Sequence, residues 1–339
     1  MTDVTVADAT ARRSLFSALA GPARRRPLLA LTTTAVVVAL ALGVLEGWRD
    51  LAQASINGVV AGSYFALGAV GLTLIFGVLR LVNFAHGEFL TVGAYMLVVG
   101  SALGLPLVLA AALAVVATAA LGVTLEVGLW RPVRRRRVGE LQLLLLAVGL
   151  AFFIRNAIAF VAGPEDRAAG ANVTEGINVG DFRIGRTELV VTLVGLTAMV
   201  IVALVLRSTS LGRQTRALAD SIQLAETTGI DTDRIVLITW ATSAGLAGLA
   251  GILYALPAGT VNPNLGFTLI LSIFAAVVLG GIGNAYGALA GGLLIGVTQE
   301  WSTLVIEPAM KVAVGFAILI LTLLVRPQGL FGRARLVER

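Results

Sequence analysis

Ionisable side chains are few inside the long apolar stretches of this sequence, so each is a candidate for chemistry. Glu88, Glu126, Arg155 and Glu300 stand within apolar runs, and Lys311 stands near the edge of one. The one histidine, His86, is two residues from Glu88 in Asn83-Phe84-Ala85-His86-Gly87-Glu88. A His beside a carboxylate can work as an acid–base pair. The commoner use of such a cluster is structural, satisfying backbone groups where a broken helix re-enters a bilayer. An intramembrane enzyme would also need a nucleophile dyad, a second His or a metal set, and the sequence supplies none. With no Cys, disulfides, thiolate chemistry and Cys-ligated metals are excluded. At 1.5 Å per residue, Arg155 and Glu300 each fall about 10 Å from the outer end of their runs. A buried pair between them is expected, because isolated charges in lipid are costly, with the lining of a polar cavity as the alternative. Glu126 lies within about a turn and a half of Arg131, and is expected to partner the Arg cluster there. Carriers driven by protons or sodium keep carboxylates near the midplane. That supply is thin here, so an ion-coupled secondary carrier is only the alternative.

The elements that must position these groups are membrane helices. The chain has 339 residues, 58% hydrophobic and only 13% charged, against roughly 25% charged in soluble domains. The net charge of +6 sits in short clusters between apolar runs, where it sets orientation rather than binding nucleic acid. Sparse aromatics leave no stacking platform for nucleic acid either. Runs long enough to cross a bilayer lie near 28–45, 51–79, 82–103, 107–130, 141–162, 189–206, 235–256, 265–282, 286–306 and 309–325. The fold class expected is an all-α polytopic membrane protein of about ten helices (8–10), with both termini cytoplasmic. That orientation places the clusters in 1–27, at Arg80, and in 131–140, 207–234 and 326–339 on the inside, as the positive-inside rule asks. Residues 1–27 read as a disordered cytoplasmic tail, and 333–339 as a second, short one. The run 28–45 reads as an extra N-terminal membrane helix, with a cleaved signal segment ending at Ala39-Leu40-Ala41 as the alternative.

Glycine is abundant, with 39 residues, and Gly58, Gly62, Gly280, Gly281, Gly283, Gly287 and Gly291 are candidates for close helix packing. Asn57, Ser63 and Tyr64 are polar candidates for a translocation path, beside the broken-helix group Asn83, His86 and Glu88. The polar segment 207–234 holds Ala217, Leu218, Ile222 and Ala225 at helical spacing, then Gly229 as a C-terminal cap. One short amphipathic helix is expected there, presented to a partner's groove, with anchoring at the lipid interface as the less favoured alternative.

Several segments together resemble the LivH-type permease subunits of branched-chain amino acid importers of the ATP-binding-cassette class. They are Ser55-Ile56-Asn57-Gly58, Gly62-Ser63-Tyr64-Phe65-Ala66-Leu67, Val82 to Glu88, Arg131-Pro132-Val133-Arg134, and Gly229 to Arg234. Val261-Asn262-Pro263, Ala276 to Gly283, and Pro327-Gln328-Gly329-Leu330-Phe331-Gly332 follow in the family's order. The resemblance implies a permease domain over 51–332. Within it, two four-span blocks, 51–162 and 235–325, start on opposite sides of the membrane under the topology above, and an inverted repeat is expected from that. The resemblance also implies a second, LivM-like permease, two LivF/LivG-like cytoplasmic ATPases using ATP-Mg, and an extracytoplasmic substrate-binding protein. This chain would bind no cofactor and sit in the cytoplasmic (inner) membrane among lipid. It carries no phosphate-binding Gly-x-x-x-x-Gly-Lys-Ser/Thr pattern. The loop helix would be the coupling helix, with Arg213, Arg216, Ala217, Gln223, Leu224, Ala225, Glu226, Gly229 and Ile230 at the ATPase contact. Of the usual Glu-Ala-Ala-x-x-x-Gly pattern, only Ala225 and Gly229 are kept. Branched-chain amino acids are the implied cargo, with urea, amides or another small solute as alternatives.

Overall fold

The computed structural model describes residues 27–136, 138–170, 176–179 and 182–332. The tails expected over 1–27 and 333–339 lie outside these residues, Pro27 excepted. Helix α1 spans Pro27–Leu45, α2 Trp48–Leu79, α3 His86–Ala102 and α4 Leu107–Leu125. A π-helical turn, Glu126–Trp130, carries α4 into the short α5, Arg131–Arg135. There follow α6 (Glu140–Ala162), α7 (Arg186–Ser208), α8 (Ser210–Asp220), α9 (Ile222–Thr227) and α10 (Thr232–Ala258). The last three are α11 (Leu265–Gly280), α12 (Ala285–Ser302) and α13 (Lys311–Val325). Among the described residues, six helical segments are long and apolar enough to cross a membrane by length and composition. They are Trp48–Leu79, Leu107–Arg135, Glu140–Ala162, Arg186–Ser208, Thr232–Ala258 and Pro308–Val325.

The chain is not purely helical. Strand β1 (Arg167–Ala168) pairs antiparallel with β4 (Thr260–Val261), and β2 (Gly176–Val179) with β3 (Phe182–Gly185). The segment between α6 and α7 lacks a helical apolar period, so its backbone groups pair across short ladders instead.

Helix α2 is the axis of the bundle. Every residue from Val60 to Ile75 is buried, as expected for a helix apolar all round. The apolar stretch of α13, by contrast, is only 6% buried, and those of α6 and α7 17%. These outer helices turn their apolar faces away from the protein, which suits contact with lipid or with another membrane subunit.

Glycine sets how closely the helices approach. A Cβ at Gly58 would lie 2.6 Å from Val297 Cα, and one at Gly292 2.3 Å from Ala66 Cα. Gly62 faces Leu293 in the same seam, so α2 and α12 touch backbone to backbone. Gly287 and Gly291 face α11 instead, where a Cβ would come within 2.2 Å of the carbonyl oxygens of Gly280 and Ala276. Gly281 and Gly283 depart from the packing role expected of them. Both have positive φ, 106° and 86°, in the turn between α11 and α12. Gly281 abuts Gln328 and Gly332, while a Cβ at Gly283 would meet nothing within 4 Å. The C-terminal segment clasps this turn: Leu330 N donates to Leu279 O at 2.8 Å, and the Asn284 amide to Phe331 O at 3.0 Å.

The starts of α3 and α11 are alike. Val82-Asn83 precedes α3, and Val261-Asn262 precedes α11. Asn83 Oδ1 accepts from Ala85 N at 3.1 Å, and Asn262 Oδ1 accepts from Asn264 N at 3.0 Å. His86 N reaches Asn83 O, and Leu265 N reaches Asn262 O, each at 3.2 Å. Four residues after each Asn comes a glycine, Gly87 and Gly266, and the two backbones press together. The helix partners repeat as well: α2 packs on α12 as α10 does on α4, and α3 packs on α4 as α11 does on α12.

Candidate functional site

Two places in this scaffold gather polar side chains: the start of α3 inside the bundle, and the α8–α9 loop on its surface.

After α2 ends at Leu79, the chain turns back, and α3 begins beside the middle of α2. The His86 Nε2 lies 3.0 Å from Gly68 O, eleven residues before the end of α2, or about 16 Å back along it. A carbonyl only accepts, so Nε2 donates there. Among the described residues, the buried Nδ1 has no partner. His86 therefore does not pair with Glu88. The Glu88 carboxylate, 1% exposed, takes Arg155 Nη2 at 2.9 Å and Nε at 3.3 Å on Oε1. Its Oε2 accepts from Thr91 Oγ1 at 3.3 Å, and that hydroxyl in turn accepts from Gly266 N at 3.0 Å. The Arg155 guanidinium stands 4.3 Å over the Phe267 ring and 5.2 Å over that of Phe152.

Three elements thus converge on one carboxylate. Glu88 sits in the first turn of α3, where the helix dipole favours negative charge. Arg155 reaches it from α6, and Thr91 ties it to the first turn of α11. The Arg155–Glu300 pair expected from depth is not formed. Glu300 Oε1 binds Lys311 Nζ at 2.7 Å instead. A short turn joins α12 to α13 and delivers the lysine, whereas α6 packs on α3. Depth along a span was a fair guide to cost and a poor guide to partner.

The remaining path candidates lie along α2. Asn57 accepts from Gln53 Nε2 at 3.1 Å. Ser63 is fully buried, donates to Val60 O at 2.7 Å and abuts Gly195 of α7. Tyr64 meets Tyr254 of α10 edge-on at 5.4 Å. Ser63 thus faces α7 and Tyr64 faces α10, and none of the three bonds to Glu88 or Arg155.

The loop differs from the single helix expected. Ser221, extended at φ −160°, separates α8 from α9, and its side chain caps Leu224 N at 3.3 Å. Serine competes for backbone donors and so favours a new helix start over continuation. Leu218 and Ala225 turn inward, but Ile222 is 37% exposed and Leu224 67%. Gln223 and Glu226 are exposed beside them, so the outward face is Ile222, Gln223, Leu224 and Glu226. Ala225, expected to permit close docking, packs inward. Gly229 closes α9 at φ +81°, with Ile230 N donating to Ala225 O at 3.2 Å, the bond of a Schellman cap. Arg216 binds Leu206 O and anchors the loop to α7, Ala217 is half-buried and Arg213 is exposed.

Ion pairs also fix the α4–α5 segment beside the start of α10. Arg134 binds the buried Glu126, meeting the expectation for that carboxylate, and Arg131 binds Asp233 in the first turn of α10. Trp130, in the π-helical turn, stacks on Trp240 with ring centroids 5.8 Å apart. Spacing could not announce this stack, since a π turn shifts the helical register by one residue.

The sequence model of the family described as "Branched-chain amino acid transport system / permease component" matches residues 54–323. The chain is 35% identical to the high-affinity branched-chain amino acid transport system permease protein LivH of Escherichia coli, over 83% of this chain and 95% of that one. It is 32% identical to the corresponding permease BraD of Pseudomonas aeruginosa, again over 83% and 95%. It is 26% identical to the permease LivM of Salmonella typhimurium, over 95% of this chain and 78% of LivM. No solved structure matches.

Proposed function

We infer function from one premise: this chain belongs to the family of branched-chain amino acid transport system permease components. It is a multi-pass membrane protein and the permease component of an importer. The match from residue 54 to 323 carries this reading, since it runs from six residues into α2 to two residues short of the end of α13.

The cargo we propose is branched-chain amino acids, handed over by an extracytoplasmic binding protein. Ten helices cross the cytoplasmic membrane with both ends of the chain inside, and the clusters at 131–136 and 207–216 lie on the cytoplasmic face. The repeated Asn starts of α3 and α11 then belong to inverted four-helix repeats. Their N-termini meet near the midplane, as in other transporters with discontinuous helices. The pore is shared with a LivM-like second permease. Two cytoplasmic ATPases hydrolyse ATP-Mg, and the α8–α9 loop is the coupling segment they engage. An apolar side chain as exposed as Leu224, on a loop in water, is what a partner's groove would cover.

The test is purification of the tagged chain from its native host in mild detergent, with mass spectrometry of what accompanies it. The expected result is a second permease and a cytoplasmic ATPase. A homo-oligomer without ATPase, after crosslinking has excluded simple loss, would overturn the reading in favour of a secondary carrier.

A further inference from the structure

We propose that Arg155 reads the carboxylate of the transported solute, on a face of the translocation path formed with Phe152 and Phe267. This rests on the importer reading above and adds to it a recognition group within the membrane.

Three observations carry it. First, Arg155 lies well inside α6, and a guanidinium at that depth is not left facing lipid. Yet this chain does not seal it in: the Arg155 side chain is 12% exposed, and the rings around it, Phe152 and Phe267, are 51% and 47% exposed. The opening therefore faces a polar space or a partner rather than acyl chains. Second, the guanidinium is only partly used. Nε and Nη2 both donate to the same oxygen, Glu88 Oε1, and Nη1 has no hydrogen bond among the described residues. A planar guanidinium presents donors in a fixed fork suited to a carboxylate, so a second carboxylate can be met on the free edge. Third, the rim is aromatic. Phe152 and Phe267 offer apolar rings beside the charge, matching a solute that joins a carboxylate to a hydrocarbon side chain.

Glu88 gives the site its weakness, which transport requires. It holds Arg155 in place and neutralises most of its field, so an arriving carboxylate gains a contact without being trapped. A site that must release its cargo binds it loosely. The hydroxyl bridge from Thr91 to Gly266 N ties this charge pair to α11. Movement between α3 and α11 would therefore alter what Arg155 presents.

Two measurements test the proposal on the assembled complex. The chain contains no native Cys, so Phe267→Cys introduces its single thiol. That thiol is exposed to a membrane-impermeant, charged methanethiosulfonate in membrane vesicles. Its rate is compared with that of Leu193→Cys, 57% exposed and seven residues into α7. At least tenfold faster modification at 267 is expected, and equal slow rates overturn the proposal. The second measurement is uptake of L-leucine by Arg155→Gln, Arg155→Lys and the double variant Glu88→Gln/Arg155→Gln. The double variant leaves no buried unpaired charge, so a purely structural pair would recover uptake in it. Carboxylate reading instead predicts at least a tenfold loss in Arg155→Gln and in the double variant, with partial recovery in Arg155→Lys. Normal uptake by the double variant overturns the proposal. If the unaltered complex moves no leucine, the importer reading fails, and the labelling result still stands by itself.

Discussion

At the scale of single residues, the placement of charge follows from what each group would cost alone. Glu88 is 1% exposed and has Arg155, Thr91 and its own helix start to hold it, whereas Lys311 is 38% exposed beside Glu300. Truncating Glu88 to Ala strands a guanidinium with its counter-charge gone, a loss of about 3–5 kcal/mol where such pairs are buried. Truncating Glu300 leaves a lysine that can turn to water, at a cost of about 1 kcal/mol or less. We therefore expect Glu88→Ala to lower sharply the temperature at which half the protein remains monodisperse in detergent, and Glu300→Ala to lower it little. Equal shifts would mean that the Glu88 pair is wetter than its burial indicates. These charges could be picked out in the sequence because ionisable residues inside apolar runs are rare. Their partners could not, because pairing depends on which helices lie side by side, and α6 reaches α3 only through the fold.

At the scale of elements, the loop between α7 and α10 shows the same division. Its polarity, its helical spacing and its terminal glycine were legible, since Gly229 adopts the left-handed conformation that glycine tolerates best. The break at Ser221 was not, because one extended residue does not disturb the pattern of apolar positions on either side. That break turns Ile222 and Leu224 outward and Ala225 inward, which reassigns the contact face. Two variants separate cap from face. Gly229→Val forces a β-branched residue to φ +81°, costing about 1–2 kcal/mol locally, although no neighbouring atom blocks it. It should loosen α9, weaken ATPase recovery and leave the protein in the membrane. Leu224→Asp touches an exposed position and should leave thermal survival unchanged while sharply reducing ATPase recovery in mild detergent. Undiminished recovery in both variants would remove the α8–α9 loop from the coupling role.

At the scale of the whole molecule, stability in lipid comes from backbones close enough for dispersion and buried polar bonds, since lipid tails offer helices no hydrophobic drive to associate. The abundance of glycine advertised close packing, but spacing alone could not say which glycines face a neighbour and which face a gap. Helix α10 holds both kinds. A Cβ at Gly251 would fall 2.0 Å from Leu90 O in α3, a contact that only backbone displacement can relieve. A Cβ at Gly245 would find its nearest atoms, in Val115 and Ala119 of α4, at 3.6 Å, an ordinary van der Waals distance. Alanine there also suits a helix interior better than glycine, by about 0.5–1 kcal/mol. Gly245→Ala should therefore match or exceed the parent in thermal survival in detergent. Gly251→Ala should fall well below it, because α3 must part from α10 and draw the Glu88–Thr91–Gly266 link with it. If both substitutions are equally tolerated, the α3–α10 seam has slack, and the close approach seen at Gly251 is not what holds α3 in place.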